Sequence, residues 1–292
     1  MGEPRIYPGR VDVEAADYDL SLIAQSGQSF RWRRVEGEAQ VSVQGQAQAP
    51  CAYSNERAAL WQVPALGDVA ALRQEGRRIS FACTPGRERD WLCYLRLDPA
   101  SQEAHAACLR ALARRRSPMP AIVRAYGGLE VLAQDPWEAA VSFVISQNNN
   151  IKRIRSSLER ICGGPLEPLP TPYTLSRILA AGGRDLGLGY RLPYLQDLAA
   201  RWSDLEEAFS RSRDLPPAKA YHADYEALLA VNGIGPKVAN CICLYGLGHL
   251  GVVPVDTWIR KAQDRYGFSW HRRYGGLQQL MVFEWARRLP RS

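Results

Sequence analysis

No stretch of this 292-residue chain approaches the ~20 consecutive apolar residues that cross a bilayer, and its N-terminus, MGEPRIYPGRVDVEAADYDL, is too polar for a secretory leader. A membrane-embedded or exported protein is thereby excluded from the readings, and a soluble, cytoplasmic one is expected. Histidine is scarce. His105, His222, His249 and His271 are scattered and never form the i, i+4 pair of a zinc-binding HExxH helix. The cysteines, Cys51, Cys83, Cys93, Cys108, Cys162, Cys241 and Cys243, are odd in number and lack the close paired spacing of a zinc site or iron–sulfur loop. They read as reduced, structural thiols, and no transition metal is expected. Repeats and low-complexity tracts are missing as well.

What is present is length enough for two ordinary domains or one large one, with a core that needs no disulfide or metal. Lys plus Arg outnumber Asp plus Glu by 37 to 30, a net charge of +7 and a pI near 9.1. Such a balance favours a polyanionic partner through counterion release, although charge alone does not separate a nucleic-acid binder from a merely basic protein.

The residue pattern changes along the chain. From Gln28 to Tyr53 it alternates: Phe30 and Trp32 share one face, Val41 and Val43 another, and VEGE at 35–38 reads as a turn, which together predict antiparallel sheet. From Asp98 it becomes helical, because Asp98-Pro99 and Asp135-Pro136 each read as an N-cap followed by proline at the first helical position. WEAAVSFVISQ after Pro136 is apolar nearly all round and predicts a central buried helix. IKRIRSSLERI sets Ile151, Ile154, Leu158 and Ile161 on one face and Lys152, Arg153, Arg155 and Arg160 on the rest, a basic surface able to touch phosphates or simply to be solvated. The Pro-rich run from Pro165 to Pro172 reads as a connection. The fold class expected is α+β, a β-rich domain over 1–97 followed by a helical region over 98–292.

The most informative stretch is YEALLAVNGIGPKVANCICLYGLGHLGVVPVDTWIRKA at 225–262. Leu228, Leu229 and Val231 close one helix, Gly233 and Gly235 permit a tight turn, and Pro236 opens a second helix, giving a helix-hairpin-helix at about 222–247. Amides exposed by such a turn can hold a phosphate without reading sequence. Lys237 falls in the first turn of the second helix, where the dipole disfavours a positive charge and favours the nucleophilic neutral amine. The alternative is a surface lysine that only touches phosphate. Asp256, after the apolar Val252-Val253-Pro254-Val255, is a natural N-cap that backbone amides and the dipole keep ionised. It can stabilise developing positive charge on a sugar, or act purely as a cap.

GIGPKVANCICL followed by VPVD resembles the helix-hairpin-helix, Gly/Pro-rich loop and Asp motif of the DNA glycosylase superfamily, and within it the 8-oxoguanine DNA glycosylase/AP lyase family. SGQSFRWR at 26–33, QDPWEAAVSFVISQNNNIKRI at 134–154 and LGLGYR at 186–191 carry the same resemblance, which runs from Ser26 to Phe283. It implies a TATA-binding-protein-like N-terminal domain and a monomer acting on double-stranded DNA that contains a damaged base. It also implies a bifunctional enzyme. Lys237 would attack the anomeric carbon and form a Schiff base with the sugar, Asp256 would stabilise the oxocarbenium-like transition state, and β-elimination would follow. Relatives without this lysine use water and stop at the abasic site.

By the same resemblance the backbone carbonyl of Gly27 accepts the N7 proton that marks 8-oxoguanine, Gln279 reads the Watson–Crick edge, and Phe283 and Cys241 cover the two faces of the base. Asn148, Arg153, Tyr190 and Arg191 match the residues that fill the vacated stack and read the orphaned cytosine, the space a flipped base leaves. No cofactor is implied; whether a monovalent cation organises the hairpin carbonyls stays open. Two positions depart from the pattern: Trp258 stands where a histidine commonly follows the Asp, and Ala286 where the family has a late Asp. Other readings are a helix-hairpin-helix glycosylase for another damaged purine and a noncatalytic DNA-binding module; an iron–sulfur glycosylase is opposed by the cysteine spacing.

Overall fold

The computed structural model describes residues 3–35, 59–182 and 185–289. The strand expected at Val41 and Val43, the turn at 36–38 and Cys51 lie outside the described residues. The fold class is α+β, and the chain forms two compact units, Met1–Ala133 and Gln134–Ser292.

The first unit is built on a six-stranded sheet, with every neighbouring pair antiparallel: β1 (Arg5–Tyr7), β2 (Arg10–Glu14), β3 (Arg33–Val35), β4 (Leu60–Ala65), β5 (Asp68–Glu75) and β6 (Arg78–Ala82), in the order β1-β2-β6-β5-β4-β3. Register puts Val11 opposite Phe81, Phe81 opposite Leu72 and Leu72 opposite Trp61, a line of buried apolar side chains across four strands. Such cross-strand pairs are the unit of sheet stabilisation. The strand expected from Gln28 begins only at Arg33. Residues 28–32 are irregular, because the Gln28 side chain takes the place of a ladder: its Nε2 donates to the Glu130 carbonyl (2.9 Å) and its Oε1 accepts from Leu132 N (2.8 Å). Phe30 and Trp32 are buried all the same.

Among its described residues this unit also has four helices: α1 (Leu20–Gln25), α2 (Glu88–Leu95), α3 (Pro99–Ala113) and α4 (Met119–Tyr126). Helix therefore starts before Asp98, since α2 buries Trp91 and Leu95 in the core. Asp98 caps α3 as its position before proline predicts, accepting from Ser101 N at 3.0 Å.

A buried pair ties α3 to the end of the unit: His105 Nδ1 lies 2.8 Å from Glu130 Oε2, and its Nε2 2.9 Å from the Gly127 carbonyl. Burial alone would lower the histidine pKa, but the hydrogen bond and charge of Glu130, with the Gly127 carbonyl, outweigh it and raise it above the ordinary value. A raised folded-state pKa gives stability that is fully present below the unfolded value of about 6.5 and disappears as pH climbs through the folded one. Denaturant titrations at pH 6 and pH 9 are therefore expected to show lower stability at the higher pH, and His105→Gln should flatten that difference.

The second unit is all-helical among its described residues: α5 (Pro136–Ser146), α6 (Ile151–Cys162), α7 (Pro172–Gly182), a 3₁₀ turn at Gly189–Arg191, α8 (Leu192–Ser212), α9 (Pro217–Leu229), α10 (Pro236–Tyr245), α11 (Thr257–Tyr266) and α12 (Gly275–Ala286). α5 is the central buried helix that its all-round apolarity predicts, and Asp135 caps it by accepting from Glu138 N at 3.0 Å. In α6, Ile154, Leu158 and Ile161 are buried as expected, whereas Ile151 is 43% exposed. It occupies the first helical position, where the turn has not yet packed.

Glycines bring three helices together. A Cβ on Gly276 would meet Leu244 Cδ1 at 2.3 Å, and one on Gly275 the Gly251 carbonyl at 2.5 Å, so α12 starts flush against the end of α10. On the other side of α10, Tyr245 stacks on Phe143 of α5 with centroids 5.3 Å apart and planes 12° apart. Side chains of α5, α10 and α12 are thereby held at one place.

Candidate active site

α9, the turn 230–235 and α10 form the helix-hairpin-helix. Gly233 adopts φ +82°, and a Cβ there would lie 2.1 Å from the Tyr194 ring of α8, so only glycine fits both the backbone and the space. The turn is pinned twice more: Asn232 N donates to Asp197 Oδ2 at 2.8 Å, and Gln147 Nε2 donates to the Gly233 carbonyl at 3.0 Å. Gly235 is different. It is the N-cap of α10 at φ −92°, with open space where a Cβ would go. Gly233→Ala is accordingly expected to lose about 2–5 kcal/mol in chemical denaturation, from a strained φ plus overpacking. Gly235→Ala should lose no more than about 1 kcal/mol.

Pro236 and Lys237 follow at the first two positions of α10, as their order in the sequence predicts. The Lys237 side chain is exposed, with Nζ 5.4 Å from the Phe143 ring centroid, so the amine lies over an aromatic face rather than in an ion pair. One turn on, Cys241 is buried, and its thiol feels the charges of Lys237 and Asp256. Burial pushes the Cys241 thiol up; the lysine opposes this and Asp256 adds to it. The phenol of Tyr245 is held well above its ordinary range by burial, with Cys241, Asp256 and Glu284 adding to the effect. Both groups stay neutral near pH 7, which removes the thiolate as a nucleophile and leaves the lysine amine.

Asp256 caps α11, accepting from Ile259 N at 2.8 Å, so its carboxylate is fixed at a helix N-terminus within electrostatic reach of Cys241. Trp258, two residues on, is 40% exposed with Lys261 Nζ 6.0 Å from its ring, and Ala286 is buried.

α12 carries Gln279 and Phe283 one turn apart. Gln279 is buried, and its Oε1 has no hydrogen-bond partner among the described residues. A buried amide oxygen left unpaired is uncommon and suits a group that bonds to a ligand. Phe283 is half-buried, with the Arg287 guanidinium 5.7 Å from its ring.

A third cluster lies at the end of α5. Asn148 takes φ +46°, and its Nδ2 donates to the Tyr190 hydroxyl at 3.3 Å. The Tyr190 hydroxyl donates to the Gln147 carbonyl at 3.1 Å, and its ring is 48% exposed. Arg191 is 5% exposed: Nε donates to the Gln147 carbonyl at 2.8 Å and Nη2 to both the Gln147 and Asn148 carbonyls. Its guanidinium stacks over Tyr190 at 4.4 Å. Asn148, Tyr190 and Arg191 thus form one assembly, with the arginine donors committed to backbone carbonyls. Arg153 is exposed on α6, where its backbone N–H donates to the capping side chain of Asn150. Gly27 belongs to the first unit, at φ +76° just after α1, half-buried with open space around it.

Sequence reasoning missed Phe143, Gln147 and Tyr194. Nothing in the pattern marks Phe143 as the floor beneath the amine, since it is one more apolar residue in an apolar helix. Gln147 stood in a recognised segment, and its link to Gly233 depends on packing between α5 and the hairpin.

An antiparallel sheet unit is followed by a helical unit with a lysine-bearing helix-hairpin-helix and a capping aspartate. Residues 10–140 match the family model described as 8-oxoguanine DNA glycosylase, N-terminal domain. Among curated relatives, the N-glycosylase/DNA lyase of Saccharomyces cerevisiae is 36% identical over 47% of this chain and 42% of its own length. The probable N-glycosylase/DNA lyase of Methanothermobacter thermautotrophicus is 30% identical over 54% of this chain and 62% of its own, and the N-glycosylase/DNA lyase OGG1 of Arabidopsis thaliana is 27% identical over 91% and 70%. The chain thus spans less than two thirds of the first two relatives. A solved Clostridium acetobutylicum 8-oxoguanine glycosylase/lyase, in complex with double-stranded DNA containing cytosine opposite the lesion, superposes with a TM-score of 0.76 at 23% identity over 98% of both chains. The chain is similar to the 8-oxoguanine DNA glycosylase family, by a family model over residues 10–140 and by relatives that it covers in part.

Proposed function

We propose that this chain excises 8-oxoguanine from duplex DNA and then cuts the strand as an AP lyase, working as a monomer in base excision repair. The observation that carries the reading is the Lys237 amine at the start of α10, one turn before a neutral buried Cys241 whose thiol feels the charges of both Lys237 and Asp256. In the proposed step the Lys237 nitrogen bonds to C1′ as the bond from C1′ to the base breaks, the departing base taking the electron pair. Loss of the amine protons and opening of the sugar ring give an imine, which acidifies the C2′ proton. Removal of that proton expels the 3′ phosphate, and Asp256 offsets the positive charge that builds on the sugar.

The unpaired Gln279 oxygen and the half-buried Phe283 on one face of α12 support their assignment to the base, with Cys241 as a neutral packing surface. The Gly27 carbonyl keeps its assignment as the reader of N7–H from the resemblance in SGQSFRWR alone. Asn148, Tyr190 and Arg191, held as one unit, support insertion where the base leaves, with Arg153, Gly233 and Gly235 at the backbone; reading the opposite cytosine would require Arg191 to release a backbone carbonyl. The lysine supplies the nucleophile, so no cofactor enters the reaction. The hairpin carries its own hydrogen bonds, Ile234 N to the Val231 carbonyl and Gln147 Nε2 to that of Gly233. No described helix is long and apolar enough to cross a membrane. A cytoplasmic site of action beside the chromosome is the reading that the proposed DNA substrate supports.

The test is incubation with a duplex carrying one 8-oxoguanine opposite cytosine, with and without borohydride. Base release with strand cleavage and a trapped covalent complex is expected. Release without trapping would reduce the protein to a monofunctional glycosylase, and binding without release would leave a DNA-binding module.

A further inference from the structure

Residues 104–129 hold five arginines, Arg110, Arg114, Arg115, Arg116 and Arg124, with no aspartate, glutamate or lysine, in a chain whose whole net charge is +7. In the fold this run forms most of α3, the turn after it and α4, all in the first unit and none of it in the hairpin or α6. Arg110 and Arg114 stand four apart at the end of α3, Arg116 is in the turn, and Arg124 is in the last turn of α4. All four are exposed, and none has a carboxylate at ion-pair distance among the described residues. Arg201 and Arg211 on α8 are a useful contrast, each bonded to an acid one turn before it, Asp197 and Glu207.

Helix dipoles account for part of this, since a cation near a helix C-terminus is favourable and Arg110, Arg114 and Arg124 occupy such places. They do not account for Arg116, nor for the lack of any interspersed acid, which an ordinary solvated surface carries. The run also exposes no large apolar side chain. A protein interface has an apolar centre and an interfacial membrane helix an apolar face, so neither partner fits. Guanidinium groups alone are the footprint of a phosphate backbone, which they hold by bidentate hydrogen bonds and counterion release.

We propose that the α3–α4 arginine surface binds the phosphate backbone of duplex DNA irrespective of sequence or damage, as a contact additional to the excision site. This rests on DNA being the substrate, as argued above. Such a contact raises retention on undamaged duplex and leaves base release untouched.

The experiment is the salt dependence of binding to an undamaged duplex, comparing the native chain with Arg110→Gln/Arg114→Gln/Arg116→Gln/Arg124→Gln. Each phosphate that an arginine no longer neutralises lowers the slope of log K against log salt by about 0.9, so a fall of roughly 2–4 is expected. Lysine at the same four positions should keep most of the slope, and Arg211→Gln should keep all of it. Single-turnover release of 8-oxoguanine at saturating protein should be unchanged. Where the quadruple variant melts early, Arg114→Gln/Arg116→Gln carries the test with a fall of about 1–2. An unchanged slope in a folded variant overturns the proposal, whether or not binding to vesicles of anionic phospholipid falls. A native chain that shows the slope and its loss yet releases no 8-oxoguanine would overturn the excision reading alone.

Discussion

Lys237→Gln is expected to abolish the borohydride-trapped complex and to slow release of 8-oxoguanine by roughly a thousandfold or more, since removing a covalent nucleophile leaves only positioning and electrostatics. The result is readable because lysine is rare in this chain: only Lys152, Lys219, Lys237 and Lys261 are present. A trapped adduct therefore has few side-chain candidates, and only Lys237 lies beside Cys241 at the head of α10. The substitution should cost little stability. The side chain is exposed, and its ring contact with Phe143 is long at 5.4 Å. Duplex binding should persist, because the hairpin is pinned by Asp197, Gln147 and Tyr194 rather than by the amine. Loss of binding together with release would mean that Lys237 serves as a phosphate contact. Trapping that survives in Lys237→Gln would move the nucleophile to another amine.

How much of this was legible in the sequence depends on the range of the interaction. Asp98, Asp135 and Asp256 all cap helices where a local rule puts them, because an N-cap bond joins residues three apart and needs no tertiary context. The burial of α5 follows from periodicity, whereas of the alternation read from Gln28 to Tyr53 only Arg33–Val35 falls in a described strand. What periodicity misses is replacement of backbone pairing by a distant side chain, as where Gln28 bonds residues 130 and 132 and a strand fails to start. In the site, the hairpin glycines and Lys237 stand together in sequence and were legible as a motif. The Phe143 floor and the Gln147 carbonyl that gathers Tyr190 and Arg191 arise from packing of α5 against α8 and α10, which no local pattern encodes. Arg191 shows the limit of transfer by motif. Its place in LGLGYR suggests a base reader, yet its donors are engaged by carbonyls.

Asp256→Asn separates a catalytic carboxylate from a structural cap, because asparagine is as good an N-cap as aspartate and can still accept from Ile259 N through its amide oxygen. Loss of the favourable charge at the start of α11 should lower stability by no more than about 1 kcal/mol. Release of 8-oxoguanine should nevertheless fall by about 10²–10³-fold, the usual effect of removing one preorganised electrostatic partner of a developing charge. Asp256→Ala removes cap and charge together and should add a stability loss of about 1 kcal/mol to the same fall in rate. If Asp256 were only a cap, Asn would keep full activity, and Ala would lower activity only as far as it lowers the folded fraction. The isosteric variant is therefore the decisive one. It retains the geometry of α11 and alters only the charge that reaches Cys241 and Tyr245, and through them the pocket in which the Lys237 amine must act.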